Sequence, residues 1–345
     1  MSLDHDLLIA GGGPAGLATA LYAVRAGLRP VVIEPRAAPT DKACGEGLLP
    51  GAVRALTALG VPVPGHRIDG ISYIQGDRQV RAAFRAGPGL GVRRTVLHAA
   101  LHQAVLDAGV PILPTRVDEV RVDATGVTAL GPDLRGRWLA AADGLHSPTA
   151  RALGLRTEDT RPARFGLRRH YAVAPPSSAV EVHYGPFGEA YLTPLGPELT
   201  GVALLTSRRA PFGEQLAEYP ALLARFPAAS AVTAVRGAGP LRQRMRRRVA
   251  GGGRVLFVGD AAGYVDALTG EGITLAMAGA AALVDSLRRD RPQEYERAWL
   301  RATRRHRLLT ECLVLARANP LTAGRIVPAA ERLPSVFGAV VNALA

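Results

Sequence analysis

The feature that most constrains this chain is its first strand and the glycine turn that ends it. Residues 6–17 read DLLIAGGGPAGL, so an apolar run leads into Gly11-x-Gly13-x-x-Gly16 and then into a sequence rich in Ala and Leu. The run suits a buried parallel strand, and the sequence after the turn favours a helix. The first glycine allows the tight turn, the second lets the backbone approach a pyrophosphate, and the third lets helix and strand pack closely. The candidate cofactor-binding residues here are Gly11, Gly13, Ala15 and Gly16.

An acid closes the second predicted strand. Residues 31–34 read VVIE, and Glu34 lies 18 residues after Gly16. An acid at this position accepts hydrogen bonds from an adenosine ribose and disfavours a 2′-phosphate. A glycine turn alone is weak evidence, but strand, turn, helix, strand and acid in this order predict a dinucleotide-binding βαβ unit over residues 6–34.

Length and residue usage limit the class of protein. The 345 residues favour two joined domains, and a hydrophobic content of 48% is typical of a globular chain. The sequence contains neither an apolar run long enough to span a membrane nor a basic leader, so we expect no transmembrane segment. Two cysteines, Cys44 and Cys312, are too few for a disulfide framework and favour a cytoplasmic location.

The positive charge of the chain is concentrated in arginine. The net charge is +13, and Lys42 is the one lysine in the sequence. Arginines cluster at 242–248 and 301–307. A solvated basic face is the plain interpretation, and contact with an anionic membrane surface or an acidic carrier protein is the functional one. Without a nucleic-acid-binding motif beside the charge, we expect no nucleic-acid partner.

The chain divides into interleaved segments. The segments 1–65, 92–155 and 245–290 predict a discontinuous nucleotide-binding domain. The segments 66–91 and 156–244 contain short alternating runs broken by Pro and Gly, which predict an inserted antiparallel β-sheet that holds the substrate. Residues 291–345 predict a C-terminal helical segment. The expected class is therefore α/β with an inserted antiparallel β-sheet domain.

Four separated segments together resemble the FAD-dependent oxidoreductase superfamily of para-hydroxybenzoate-hydroxylase-type monooxygenases and geranylgeranyl reductases. They are GGGPAG at 11–16, KACGEGL at 42–48, ADGLHS at 142–147, and GDAAG at 259–263 with TGEGI at 269–273. Their order over most of the chain is more specific than any single segment. The resemblance implies FAD as cofactor. Because a second GxGxxG module is missing from the sequence, it also implies NADPH or NADH as a transient reductant.

The resemblance implies roles at the third and fourth segments. Asp260 would hydrogen-bond a ribitol hydroxyl of FAD, although a strand-ending acid can also cap the next helix. Gly272 and Ile273 would turn backbone N–H groups at a helix start toward the flavin. Asp143 belongs to a motif associated with both FAD and NAD(P)H.

Two further residues resemble cofactor contacts of the superfamily. Arg94, at the start of a predicted helix, resembles an arginine that contacts FAD, where a phosphate-facing guanidinium is chemically sensible. A surface arginine at a helix start is the alternative. Val117 falls where the superfamily uses a strand backbone to hold the adenine.

The segment around Cys44 resembles the reductase branch more than the hydroxylases. In that branch the cysteine and the glycines, here Gly45 and Gly47, approach the flavin from the substrate side. Cys44 is either a small buried residue or a weak acid that contacts the flavin, and a convergent Lys42 would lower its pKa. Glu46 is either a solvated loop acid or a proton relay. We found no metal-binding motif and expect no metal.

The inserted sheet supplies the candidate substrate residues. Arg168 and His170 alternate along one predicted strand and share a face, and His183 lies on the next. Tyr191 resembles a residue on the superfamily strand opposite the flavin ring, which makes it a candidate for both substrate binding and catalysis. A structural role is the alternative for each histidine and tyrosine.

Two activities fit this pattern. The sequence favours an NAD(P)H-using monooxygenase that hydroxylates an aromatic or polyketide-like, hydrophobic small molecule. The alternative is a geranylgeranyl-reductase-like enzyme that reduces isoprenoid C=C bonds, and the Cys44 segment supports it. A third hypothesis is that the chain binds FAD without catalysing a redox reaction. The Trp-x-Trp-x-Ile-Pro element of flavin halogenases is missing from the sequence.

Overall fold

The computed structural model describes residues 4–159 and 162–345. Residues 1–3 and 160–161, which fall in the predicted segments 1–65 and 156–244, lie outside it. The strands are β1 His5–Ala10, β2 Pro30–Ile33, β3 Gly47–Leu48, β4 His66–Ile68, β5 Gly70–Gln75, β6 Arg78–Ala83, β7 Gly89–Gly91, β8 Ile112–Leu113, β9 Glu119–Val122, β10 Val127–Leu130, β11 Leu134–Ala141, β12 Arg156–Thr157, β13 Phe165–Tyr171, β14 Ala179–Tyr184, β15 Gly188–Gly196, β16 Leu199–Thr206, β17 Arg236–Ala238, β18 Arg244–Met245, β19 Val249–Ala250 and β20 Val255–Phe257. The helices are α1 Pro14–Arg25, α2 Pro50–Ala58, α3 Arg94–Asp107, α4 Pro148–Ala152, α5 Phe212–Leu216, α6 Pro220–Arg225, α7 Gly272–Arg288, α8 Tyr295–Ala318, α9 Pro320–Ala323, α10 Ile326–Arg332 and α11 Pro334–Leu344.

The first sheet carries the glycine turn. In the described residues its strands follow the order β19-β20-β11-β1-β2-β8, with β10 and β9 joined beside β11. The pairs at its centre are parallel, so that Leu8 lies opposite Val31 on one side and Leu139 on the other. The apolar residues 7–10 of β1 and all of β2 are buried, as the unbroken apolar runs in the sequence predict. Helices α1, α3 and α7 complete this core, and the predicted α/β fold class is confirmed.

The second sheet follows the order β17-β13-β16-β15-β14-β5-β6. Its pairs between β13 and β16 and between β14 and β15 are antiparallel, as the sequence predicts. The pair between β5 and β14 is parallel, which the sequence did not indicate. Because these two strands are far apart in the chain, no tight hairpin fixes their relative direction. The parallel pair joins β5 and β6 to strands β13–β17 in one sheet, whereas β4 and β7 form a separate small sheet with β3.

The C-terminal helices pack along one side of the molecule. Helix α8 lies against α7, and α10 and α11 lie against β6. Phe337 and Val341 of α11 are buried with Tyr73 of β5, and the rings of Phe337 and Tyr73 are 4.8 Å apart. The apolar end of the sequence therefore packs on the second sheet. Within residues 4–159 and 162–345, no helix is long and apolar enough to cross a membrane.

The arginine cluster at 242–248 is partly buried and partly exposed. Arg248 is buried, pairs with Glu296 at 3.1 Å, and lies 4.3 Å above the ring of Trp299. Arg242 and Arg244 both pair with Asp159. Three of the five arginines in this cluster, Arg242, Arg244 and Arg248, are therefore used in ion pairs. The interpretation of the cluster as a solvated basic face is wrong for the buried Arg248, whereas the other two arginines, 246 and 247, are exposed.

Candidate functional site

Two glycines of the turn have no room for a side chain, and the third lies beside open space. A Cβ on Gly11, whose φ is +111°, would lie 2.5 Å from the carbonyl oxygen of Ala142. A Cβ on Gly16 would lie 1.9 Å from the oxygen of Gly11. A Cβ on Gly13 would have no atom of the described chain within 4 Å. Gly13 precedes α1 and has no side-chain cap, so the free N–H groups of this helix face a space that an anion can occupy.

Glu34 is held by its neighbours on the turn. Its Oε2 accepts a hydrogen bond from the Gly12 N–H at 2.9 Å, and Arg36 donates to both carboxylate oxygens at 2.7 Å. Burial raises the pKa of this carboxyl, but the hydrogen bonds from Arg36 and Gly12 outweigh it and lower the pKa. Arg36, which the sequence analysis overlooked, lines the cavity described below. Its signal was a cation two residues after the strand-ending acid.

A cavity of about 490 Å³ lies between the glycine turn, the second sheet and α11. The predicted site residues that line it are Gly13, Ala15, Cys44, Gly45, Glu46, Gly47, Arg94, Asp143, Arg168, Tyr191, Asp260, Gly272 and Ile273. The four sequence segments with the family resemblance therefore meet around one space, although they are far apart in the chain.

Other predicted residues lie outside the cavity lining. Gly11 and Gly16 pack against neighbouring backbone, and Glu34 accepts a hydrogen bond from the turn. His170 contacts Glu46 and does not line the cavity. The sequence analysis placed Val117 on a strand, and this was wrong. Val117 lies in the loop between β8 and β9 and packs against the core of the first sheet.

His183 is turned away from the cavity. Its neighbour Val182 lines the cavity, and alternate residues of a strand face opposite sides. The Nε2 of His183 lies 3.0 Å from Oε2 of Glu181. The structure therefore places this histidine in a side-chain pair on β14 and not among the residues that could touch a substrate.

The segment 41–48 is clamped to the second sheet by Glu46. This residue is 4% exposed and has a φ of +59°. Its Oε1 accepts from the Arg94 N–H at 2.8 Å, and its Oε2 lies 2.6 Å from Nε2 of His170. Arg168 lies 3.3 Å from Nδ1 of His170. Because an arginine can only donate, Nδ1 accepts, and His170 donates its Nε2 proton to Glu46.

Glu46 is therefore a buried clamp, and the expectation of a solvated loop acid was wrong. The reason is tertiary: β13 places Arg168 and His170 against a loop from which they are separated by 127 and 124 residues in the chain. Arg168 also hydrogen-bonds Asp41, and Thr193 donates to the Gly45 carbonyl at 2.7 Å. These contacts fix the backbone on both sides of Cys44.

Burial controls the charges that face the cavity. It raises the pKa of Asp260, against the opposing attraction of Lys42 and Arg94. Burial, together with Arg36 and Arg94, lowers the pKa of Lys42. Burial also raises the pKa of the Cys44 thiol, and the nearby Arg94 does not reverse this. Lys42 therefore does not activate Cys44 as a thiolate, and Cys44 is a protonated thiol at neutral pH.

The loop at 264–271 is held from two sides. Tyr191 donates its hydroxyl proton to the Leu268 carbonyl at 2.9 Å. On the other side, Nδ1 of His306 on α8 lies 2.9 Å from Oε2 of the buried Glu271. Burial raises the pKa of Glu271. The sequence did not reveal that α8 supports this loop, because the contact joins two segments through side chains alone.

The residues present fit FAD. Open space lies beside Gly13, Gly270 and Gly272, where a Cβ would have no neighbour of the described chain within 4 Å. The buried polar atoms at the cavity that lack a hydrogen-bond partner within the described residues include Nε of Arg94 and Oδ1 of Asp143. A phosphate could accept a hydrogen bond from Arg94, and a hydroxyl or amide group could donate one to Asp143, so that both atoms would have partners.

Comparison with known proteins agrees with this geometry. Residues 4–69 match the FAD-binding-domain family model. The chain is 31% identical over 320 residues to menaquinone reductase of Mycobacterium tuberculosis, covering 79% of this chain and 74% of the relative. It is 26% identical over 333 residues to digeranylgeranylglycerophospholipid reductase 1 of Methanococcoides burtonii, covering 87% of this chain and 80% of that protein.

A solved structure with the same fold is that of a flavin-dependent brominase. It superposes with a TM-score of 0.81, at 17% identity, over 99% of this chain and 93% of the brominase. This similarity shows the fold alone. Motifs, cavity and relatives agree, and the chain belongs to the family of FAD-dependent oxidoreductases that includes the menaquinone reductases and the digeranylgeranylglycerophospholipid reductases.

Proposed function

We propose that this protein is an FAD-dependent reductase that saturates a C=C bond in an isoprenoid-like chain. The observation that carries the proposal is an apolar arm of the cavity. This arm leads away from the Cys44 segment, between the second sheet and the C-terminal helices. Its walls are apolar side chains of β5, β14, α10 and α11, namely Ile71, Val180, Val182, Ile326, Val340, Val341 and Leu344.

The shape and chemistry of this arm suit a flexible hydrocarbon chain. The arm has Phe337 and Tyr73 on its walls, and their packed rings give it firm sides. Its charged residues are gathered at the other end, around Arg94 and Asp260. An apolar chain in the arm would lose its contact with water and place one of its double bonds near the Cys44 segment.

The names of the relatives support the same substrate class. Menaquinone and digeranylgeranylglycerophospholipid differ in their head groups, but both carry isoprenoid chains. A cavity that recognises the chain rather than the head group suits either of them. The proposal therefore specifies the isoprenoid-like chain of the substrate and not its head group.

The residues of this chain would supply the proton and the positioning. Saturating a C=C bond needs a hydride and a proton, and reduced FAD is a hydride donor. The half-buried thiol of Cys44 keeps its proton at neutral pH and lines the cavity. Glu46 and His170 hold the backbone around this thiol. Cys44 is therefore the proposed acid. NADPH or NADH is the proposed electron donor for FAD.

The test is an anaerobic turnover followed by mass spectrometry. The purified FAD-loaded protein is reduced with NADPH or NADH and mixed with a detergent-dispersed menaquinone or geranylgeranyl lipid. A product that gains two hydrogen atoms supports the reductase. Product formation only in air, with one added oxygen atom on an aromatic substrate, would instead support the hydroxylase that the sequence favoured. Cys44→Ser should lower the rate of double-bond reduction, and an unchanged rate would remove Cys44 from the chemistry.

A pair of variants on α11 tests the apolar arm itself. Val340→Trp should fill the arm, because Val340 lines it, and raise KM for a long-chain substrate more than for a short one. Ala339→Trp is the matched control, since Ala339 is exposed on the same helix. Both variants should retain FAD. Equal KM values for the two variants would refute the assignment of the arm to the chain.

A further inference from the structure

The mouth of the apolar arm is itself apolar and exposed. We define the mouth as Ala329, Leu333 and Val336, which line the cavity and are also exposed to solvent. Leu333 is 56% exposed and Val336 is 54% exposed. Large apolar side chains at an opening are costly to leave in water, and together they mark a surface that another apolar phase covers.

The same end of the chain holds much of the exposed apolar surface. Of the twelve large hydrophobic side chains that are exposed in residues 4–159 and 162–345, six lie between positions 300 and 336. Leu321 of the short helix α9 is 74% exposed, which is the highest value among them. Single exposed leucines are ordinary, but this concentration next to a cavity mouth is not.

Unpaired cations border the mouth. Arg325 precedes α10 and Arg332 ends it, both are exposed, and neither has an acidic partner in the described part of the chain. The acid between them, Glu331, is neutralised by Arg78 at 2.6 Å. The surface around the mouth is therefore both apolar and positive.

The outer face of α8 has the same character. Arg301, Arg304 and Arg305 are exposed, as are Leu308 and Leu315. Their spacing of three, four, seven and fourteen residues places them on one side of the helix, opposite the buried Thr303 and Val314. None of these three arginines has an ion-pair partner among the described residues.

We propose that the surface formed by the mouth, α9 and the outer face of α8 rests on an anionic lipid membrane, from which the apolar chain of the substrate enters the cavity. Arginines next to apolar side chains suit the boundary between phosphate head groups and acyl chains. This inference rests on the proposed function, because an isoprenoid-like chain is insoluble in water and must come from a lipid phase.

Vesicle sedimentation tests the proposal. The FAD-loaded protein is mixed with vesicles of phosphatidylglycerol and phosphatidylcholine in equal parts, and with vesicles of phosphatidylcholine alone. The wild type should sediment with the first and much less with the second. The variant Leu321→Ser/Arg325→Glu/Arg332→Glu should lower the partition at least about 25-fold, because each arginine at an anionic surface contributes about five-fold.

The matched control makes the same changes elsewhere. Leu106→Ser/Arg246→Glu/Arg247→Glu alters one exposed leucine and two exposed, unpaired arginines, with the same change in net charge. This control should keep the wild-type partition. Equal losses in both variants would show that only net charge matters and would overturn the proposal. A wild type that stays free of anionic vesicles would also overturn it and favour an acidic carrier protein as partner.

A second measurement separates this inference from the proposed function. Turnover of a detergent-dispersed isoprenoid substrate does not require a membrane. Turnover in detergent without vesicle binding refutes the docking surface and leaves the reductase standing. Vesicle binding without any double-bond reduction refutes the reductase and leaves the surface standing.

Discussion

Gly13→Ala separates cofactor binding from folding. Gly13 has a φ of −72° and a ψ of 175°, which alanine adopts without strain, and its Cβ would meet no atom of the described chain within 4 Å. Folding should therefore be unharmed and even gain about 0.4–1 kcal/mol, since alanine restricts the unfolded chain. The new methyl group would instead occupy the space in which we place the pyrophosphate.

The cost to binding can be worked out from the same geometry. A methyl group at Gly13 would hold a phosphate away from the N–H groups at the start of α1. A hydrogen bond to a charged group contributes about 1.5–3 kcal/mol. Losing one such bond should weaken FAD binding about 10- to 150-fold. The assay is a titration of the apo-protein with FAD, followed by the quenching of flavin fluorescence, with thermal unfolding of the apo-protein measured in parallel.

Gly16→Ala is the contrasting variant. Its Cβ would lie 1.9 Å from the oxygen of Gly11, so α1 and the turn would have to move apart. This variant should lower the melting temperature of the apo-protein, whereas Gly13→Ala should not. If Gly13→Ala binds FAD as tightly as the wild type, the placement of the pyrophosphate at this turn is refuted. If Gly13→Ala unfolds, the space beside Gly13 is not open.

Three further predictions concern the cavity. Glu46→Ala leaves the buried Arg94 N–H and His170 without their hydrogen-bond acceptor, so chemical denaturation should show that the free energy of unfolding falls by about 3–5 kcal/mol. Glu46→Gln keeps an acceptor and should lower the free energy of unfolding less. Because burial raises the pKa of Asp260, its stability contribution in the apo-protein is present at acid pH and is lost as the pH rises through that raised value. Asp260→Asn should therefore gain stability over the wild-type apo-protein as the pH rises from 4 to 8, and a pH-independent difference between their melting temperatures would contradict this. Tyr191→Phe leaves a buried carbonyl on the 264–271 loop unpaired and should cost about 1–3 kcal/mol of unfolding free energy.

Much of the nucleotide-binding part could be predicted from the sequence. The strand, turn and helix that carry the first glycines, and the helix start at Gly272, lie where the sequence placed them. These elements are specified locally, by apolar runs, glycines and helix-favouring residues within one short window. The four segments that resemble the family could be recognised in the sequence for the same reason, since each motif occupies only a few consecutive positions.

What the sequence by itself determined is the α/β class, the nucleotide turn and the set of segments that had to meet. Only the tertiary structure decided which residues meet. It turned Glu46 into a buried clamp by bringing it to His170, 124 residues away. It also used part of the 242–248 arginine cluster in ion pairs and placed α11 along the cavity. The physical reason is that burial and ion pairing depend on distances between remote segments, and no local pattern encodes those distances.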